Sequence, residues 1–216
     1  MLIPFSMRCA LSWILTGLIL AAFCWLFPPF HIVPLQQARK QQQAAAFDAA
    51  AFAATFWEKQ LLPATSTAAS ATEVLSLLTK DPHAARKRFG RSPGLSSAVY
   101  FFVKESGQIT SIEKHSIRIA LDGPEPKTQV GLSTGLLFGN TVRDACGLLN
   151  VSDFPNSQDF NDLSSELNRL VETRILPDLR QHAAVGKSIR FTGCIELAEG
   201  PPPKVVEIVP VKVEWP

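Results

Sequence analysis

The sequence predicts an α+β protein in which an N-terminal membrane helix is followed by helices packed on a twisted, partly closed antiparallel sheet. Three observations predict it. Residues 9–27, CALSWILTGLILAAFCWLF, form an uncharged run. Three later stretches space their apolar residues at three and four, the helical period. The segments among them alternate apolar and polar residues between Gly and Pro punctuation, the mark of half-buried strands.

The uncharged run is 19 residues long, about 28 Å as a helix, which matches the hydrocarbon thickness of a bilayer. Arg8 precedes it, favouring a cytoplasmic N-terminus. A cleaved signal peptide would show a shorter apolar region and a small-residue exit motif, and none closes the run. A lipidated Cys24 would follow Ala21-Ala22-Phe23, and Phe suits that position poorly. The expectation is therefore residues 1–30 as membrane anchor or uncleaved signal segment and residues 31–216 as one extracytoplasmic α+β domain. The location expected is the bacterial inner membrane, single-pass, with the bulk of the chain in the periplasm.

Beyond the anchor, an Ala/Gln-rich stretch predicts a helix over 36–62, with Phe52 and Phe56 on one face and Pro63 ending it. A second helix is expected over 71–89, capped by Ser70 or Thr72. It carries a basic cluster of Arg86, Lys87 and Arg88, with Arg91 beyond, read as a solvated helix end rather than a lipid or partner contact. SAVYFFVKES is a strand with a turn signal at Ser106-Gly107. QITSIEKHSIRIAL is a second, with Ile117, Ile119 and Leu121 on one face. KTQVGLSTGLLFG is a broken strand region. A third helix, capped by Ser157, runs from there to Ala184, with Phe160, Leu163, Leu167, Leu170 and Val171 inward and Pro177 kinking it. Two strands close the chain. The first puts Ile189, Phe191, Ile195 and Leu197 on one face; the second puts Val209, Val211, Val213 and Trp215 there, with an edge or bulge at Pro210. WEKQLLP (57–63) and VETRILP (171–177) echo one another at helix ends.

The net charge of +2, from 21 basic and 19 acidic residues, gives no field to attract nucleic acid, and no nucleic-acid partner is expected. The 4 His are scattered and no Cys pair has zinc spacing, so neither metal nor cofactor is expected. VGKS (185–188) lacks the upstream Gly of a phosphate loop and follows its helix instead of preceding it. The polar stretch FGNTVRDACGLLNVSDF (138–154) is the candidate site. Asn140, Thr141, Arg143, Asp144, Asp153, Asn156 and Gln158 are its candidate binding residues. Arg143-Asp144 reads first as a structural charge pair and second as a ligand contact. Cys146 reads as a small buried side chain or as half of a disulfide with Cys194, ahead of a nucleophile, because no partner base is evident. NVS (150–152) fits a glycosylation acceptor only in a eukaryotic secretory setting.

The order of IVPL (32–35), FDAAAFAATFWEKQLLPA, FGR (89–91), the run Gly139, Thr141, Arg143, Asp144, Ala145 and the closing VGKSIRFTG resembles the bacterial family of predicted periplasmic lipoproteins, domain of unknown function 2291. The resemblance covers Ile32 to the C-terminus. It implies an envelope location and a genomic neighbourhood of sugar-type ABC importers, hence importer subunits as expected partners alongside the membrane. It implies no activity. The sequence departs from the family at His31, where members place a lipidated Cys, and at Pro155–Gln158, PNSQ. The last helix and GKSIRFTG also resemble small OB-type β-barrels. The expectation is a membrane-anchored, non-enzymatic accessory or binding protein with an unidentified small-molecule ligand. An envelope enzyme using Arg143, Asp144 or Cys146, and a purely structural envelope protein, are the alternatives.

Overall fold

A computed structural model describes residues 47–93, 97–123 and 128–216, together with residues 16–18 and 23, which are helical. The chain divides into compact units Met1–Ala46 and Phe47–Pro216. The anchor run otherwise lies outside the described residues, as does 36–46 of the first expected helix. Among the described residues no helix is long and apolar enough to cross a membrane.

Helix α1 spans Ala49–Phe56. Phe47 and Asp48 are not helical, which interrupts the single helix expected over 36–62. The Asp48 carboxylate accepts the Ala51 N–H at 2.9 Å, satisfying one orphan donor of the first turn. Pro63 does not end the helix. The chain widens into a π-helical turn, Trp57–Leu61, and continues as Leu62–Ala64. The echoed sequence does the same: α5 (Ser157–Leu170) passes through a π turn, Val171–Ile175, into α6 (Leu176–His182). In each case the residue before proline bonds five residues back, Leu62 to Trp57 and Leu176 to Val171. A helical proline crowds the carbonyl four residues behind it and donates nothing to it. Widening the preceding turn relieves that crowding without breaking the helix. The two turns meet at a Glu58–Arg174 ion pair. Thr65, Ser66 and Thr67 then turn their hydroxyls back onto the carbonyls of Leu62, Pro63 and Ala64 and stop the first helix.

The second expected helix is two, α2 (Ala71–Lys80) and α3 (Pro82–Phe89), divided at Asp81. Pro82 cannot continue α2, and the Asp81 carboxylate caps α3 through Ala84 N–H at 3.0 Å. Ser70 caps α2 as expected, accepting from Glu73 N–H. The basic cluster is the solvated helix end expected, with Lys87 and Arg88 exposed. Arg86 donates to the Gly200 carbonyl at 3.1 Å and Arg88 pairs with Glu73. The third helix is capped by Asn156 rather than Ser157, through Asp159 N–H at 2.8 Å.

Six strands follow the order β1-β2-β3-β4-β6-β5, and β2 also pairs with β5. They are β1 (Ala69–Ser70), β2 (Val99–Ile112), β3 (Ser116–Leu121), β4 (Gln129–Ser133), β5 (Ser188–Leu197) and β6 (Val206–Glu214). The β2–β5 ladder closes strands β2 to β6 into a five-stranded barrel. Pairs β1–β2 and β4–β6 are parallel and the others antiparallel. Helices α4 (Thr141–Cys146), α5 and α6 fall between β4 and β5, giving the topology of an OB barrel.

Ser106-Gly107 is not a turn. β2 runs through it and reverses only at Glu113, where Glu113 N–H bonds Ser116 O at 2.8 Å. Gly107 pairs with Leu121 on one side and Ile189 on the other, and any Cβ there would collide with the Ala120 carbonyl. The glycine lets one long strand bend around the barrel. The barrel core holds Phe101, Ile109, Ile117, Ile119, Leu121, Phe191 and Ile195. In β6 the ladder shifts between Gly193↔Pro210 and Thr192↔Lys212, so Val211 is an extra residue. This bulge buries Ile208 and Val211 together and leaves Val209 half-buried, which breaks the expected single face.

Gly107→Ala is expected to lower unfolding stability by about 1–3 kcal/mol in urea denaturation, because the backbone facing it cannot retreat. A loss below about 0.5 kcal/mol would contradict this account of the bend.

Candidate functional site

Helix α4 is short, six residues, and every one is buried. It packs on β2 and β5 and carries α5 on its other side, while α5 packs on α1. Thr141 ties it to the barrel through Oγ1, which donates to Glu196 Oε2 at 2.6 Å. Gly147 ends it in a left-handed conformation, φ 63°. That backbone conformation is what requires glycine there; the Arg91 guanidinium beside it is the mobile end of a long side chain.

Arg143 and Asp144, both buried, meet in a forked pair. Nε donates to Oδ1 at 2.7 Å and Nη2 to Oδ2 at 3.1 Å. Nη1 reaches across to α5, donating to the Phe160 carbonyl at 3.1 Å and to Asn161 Oδ1 at 3.3 Å. The guanidinium lies 3.7 Å from the Phe160 ring centroid. Neighbours in a helix do not normally face one another. The pair forms here because both side chains turn into one space between α4 and α5. Phe160 in turn joins Phe154, Phe52 and Phe47, with ring centroids 5.0–5.5 Å apart.

Beside this pair lies a cleft of ≈ 440 Å³. Its polar wall is Asn140, Asp144, Asn150, Ser157 and Asn161, and Tyr100 and Phe160 supply aromatic surface. Of the expected binding residues, the cleft collects Asn140, Arg143 and Asp144. Thr141 is bonded to the barrel. Asp153 sits in the 3-10 turn Val151–Asp153, Asn156 caps α5, and Gln158 bonds Asp162 along the helix surface; none of these three lines the cleft. Sequence reasoning missed Tyr100, Ser157, Phe160 and Asn161. A signal existed for the last three, since positions 157, 160 and 161 share one face of α5. Another depression, ≈ 380 Å³, lies on the barrel wall. Its Lys104 bonds Ser66 O, Glu105 holds Ser70 and Thr72, and Lys212 pairs with Glu214, so those charges are occupied.

Cys146 and Cys194 are both buried free thiols. Cys146 donates to Arg143 O at 3.1 Å. Burial pushes its thiol up, against smaller opposing effects from the Leu148 backbone and Arg91. Burial pushes the Cys194 thiol well above its ordinary range, with Cys146 adding to it. Among the described residues no group of His, Cys, Asp and Glu is arranged to hold a metal ion.

The sequence profile of the predicted periplasmic lipoprotein family, DUF2291, matches residues 19–214. Among solved structures, the chain is similar to the crystal structure of an OB-fold protein from Thermotoga maritima MSB8. The two are 26% identical with a TM-score of 0.70, over 79% of this chain and 99% of that one. No curated protein matches.

Arg143→Ala leaves the Asp144 charge buried without its partner, and is expected to lower stability by about 3–5 kcal/mol in urea unfolding. Full stability would remove the pair from any structural role. The thiols should resist iodoacetamide in the folded protein at pH 8 and react only on unfolding. Because folding raises both thiol pKa values, their contribution is complete below the unfolded value of about 8.5 and is lost as pH rises above it. Stability should therefore fall as pH rises above about 8.5, and the Cys146→Ala/Cys194→Ala variant should lose that dependence.

Proposed function

We propose a function from the premise that the chain belongs to the DUF2291 family of predicted periplasmic lipoproteins: it is a non-enzymatic accessory protein, anchored at the periplasmic face of the inner membrane, that holds a small polar solute in the cleft between α4 and α5. The observation that carries this reading is the division of labour around Arg143. Its guanidinium is committed to Asp144, Phe160 O and Asn161, so it shapes the wall rather than waiting for an anion. The remaining polar lining is amide and hydroxyl: Asn140, Asn150, Asn161 and Ser157. Amides and hydroxyls both donate and accept. Set against the Phe160 and Tyr100 rings, they suit a neutral solute with several hydroxyl or amide groups.

Binding is favoured over catalysis by the state of Cys146. A nucleophile acts as thiolate, and burial holds this thiol protonated. Anchoring rests on the uncharged run at 9–27, with lipidation of Cys24 as the other means of attachment. Association with an ABC-type sugar importer rests on the family resemblance and the envelope location.

A panel of neutral sugars and polyols screened by thermal unfolding tests the reading. A true ligand at 100 times its Kd should add about 2.7 kcal/mol of stability. Asn140→Ala, whose side chain caps nothing in α4, should abolish that gain while changing unliganded stability by less than about 0.5 kcal/mol. A gain that survives in Asn140→Ala and Ser157→Ala would place the solute elsewhere. Mass spectrometry of proteins co-purifying with the detergent-extracted chain should recover importer permease or solute-binding subunits, and a partner-free protein would contradict the association.

A further inference from the structure

The segment Gly135-Leu136-Leu137-Phe138-Gly139 joins β4 to α4. Leu136 and Phe138 are 78% and 81% exposed, although leucine and phenylalanine are among the residues most often buried. Their exposure does not come from a loose loop. Leu137, between them, packs against the core, and its N–H donates to Glu172 Oε1 at 2.8 Å. Asn168 Nδ2 donates to the Gly139 carbonyl at 3.0 Å. On the other side Thr134 N–H bonds His115 O at 2.9 Å and Arg180 donates to Thr134 O. The backbone is thus fixed at its middle and both ends, and the alternation of side chains forces Leu136 and Phe138 outward. The β2–β3 hairpin stands beside the loop through His115.

The charges around this apolar tip do not oppose contact with a lipid surface. Residues 133–140, STGLLFGN, carry none. Arg118 pairs with both Glu113 and Glu207, and Arg169 with Glu166, so one carboxylate charge on the hairpin side is left over and Lys114 offsets it in net charge. Lys114 at the hairpin tip has no ion pair among the described residues. The sequence supplies the surface. The uncharged run ends at Phe27, and the 19 residues 28–46 cannot span more than about 65 Å. A chain held by that run keeps the folded unit at high effective concentration beside the bilayer.

We infer that Leu136 and Phe138 form a membrane-contacting tip that dips into the interfacial layer of the bilayer to which the chain is anchored. The inference rests on the anchoring proposed above. Large apolar side chains on a rigid support gain most by entering acyl chains while the neutral polar rim stays in the headgroups. Their gain is additional to the anchor and fixes which side of the barrel faces the lipid.

The test uses the full-length chain reconstituted in phosphatidylethanolamine/phosphatidylglycerol vesicles, with a lipid-phase diazirine probe and peptide mass spectrometry. Label is expected both in residues 9–27 and on the loop at Leu136 and Phe138. Leu136→Ser/Phe138→Ser should cut loop labelling about tenfold and leave labelling of 9–27 unchanged. Label confined to 9–27 would overturn the tip and leave the anchor standing, as would loops that cross-link to a second copy instead of taking label. Label on the loop alone would keep the tip and overturn the anchor. Label in neither would overturn both.

Discussion

A guanidinium buried between two helices must satisfy its donors or the fold fails, and Arg143 sets that constraint here. Its fork onto Asp144 neutralises it within α4, and its third arm reaches the backbone and side chain of α5. Because Phe160 lies under the guanidinium and against Phe154, the same contact connects the barrel-bound helix to the aromatic cluster that carries α1. The succession barrel, α4, α5, α1 passes through this one charged group. The cleft lies beside this group and is lined from both α4 and α5.

The barrel imposes a second constraint. In a closed barrel every strand serves two neighbours, and the 14-residue β2 reaches β5 along residues 99–108 and β3 along 107–112 by bending at Gly107. The paired π turns serve the helical layer in the same spirit. Each lets a proline sit inside a continuing helix, and Glu58–Arg174 joins them at the surface. That exposed pair adds little energy; each turn also buries apolar residues, Trp57 and Leu61 on one and Val171 on the other, with Leu176 following it.

Much of this was legible where a period is unbroken. Ile117, Ile119 and Leu121, and Phe160 to Val171, are inward as their spacing says. Reading failed where one residue changes the period. Gly107 looks like a turn because its backbone freedom is visible in sequence but the ladder on both its sides is not. Val211 shifts the β6 face because a bulge is a property of two strands, only one of which is local. The echo of WEKQLLP and VETRILP was visible, but its meaning, a widened turn ahead of proline, is a matter of hydrogen bonds. The candidate site was half legible for a similar reason. Asn140, Arg143 and Asp144 lie within five residues of one another, whereas Tyr100 and Asn161 reach the cleft from β2 and α5. Asp153, Asn156 and Gln158 are polar because they form a turn, a cap and a helix surface.

The most direct measurement of whether Arg143 and Asp144 act as one structural unit is a double-mutant cycle by urea unfolding, with Arg143→Met, Asp144→Leu and the two combined. The account predicts strong coupling. Each single change strands a buried charge, while the combined change removes both, so the double variant should be more stable than either single one by about 2 kcal/mol or more. Simple additivity of the two single losses would mean that the charges do not depend on each other, and the helical layer would then be held by its aromatic contacts alone.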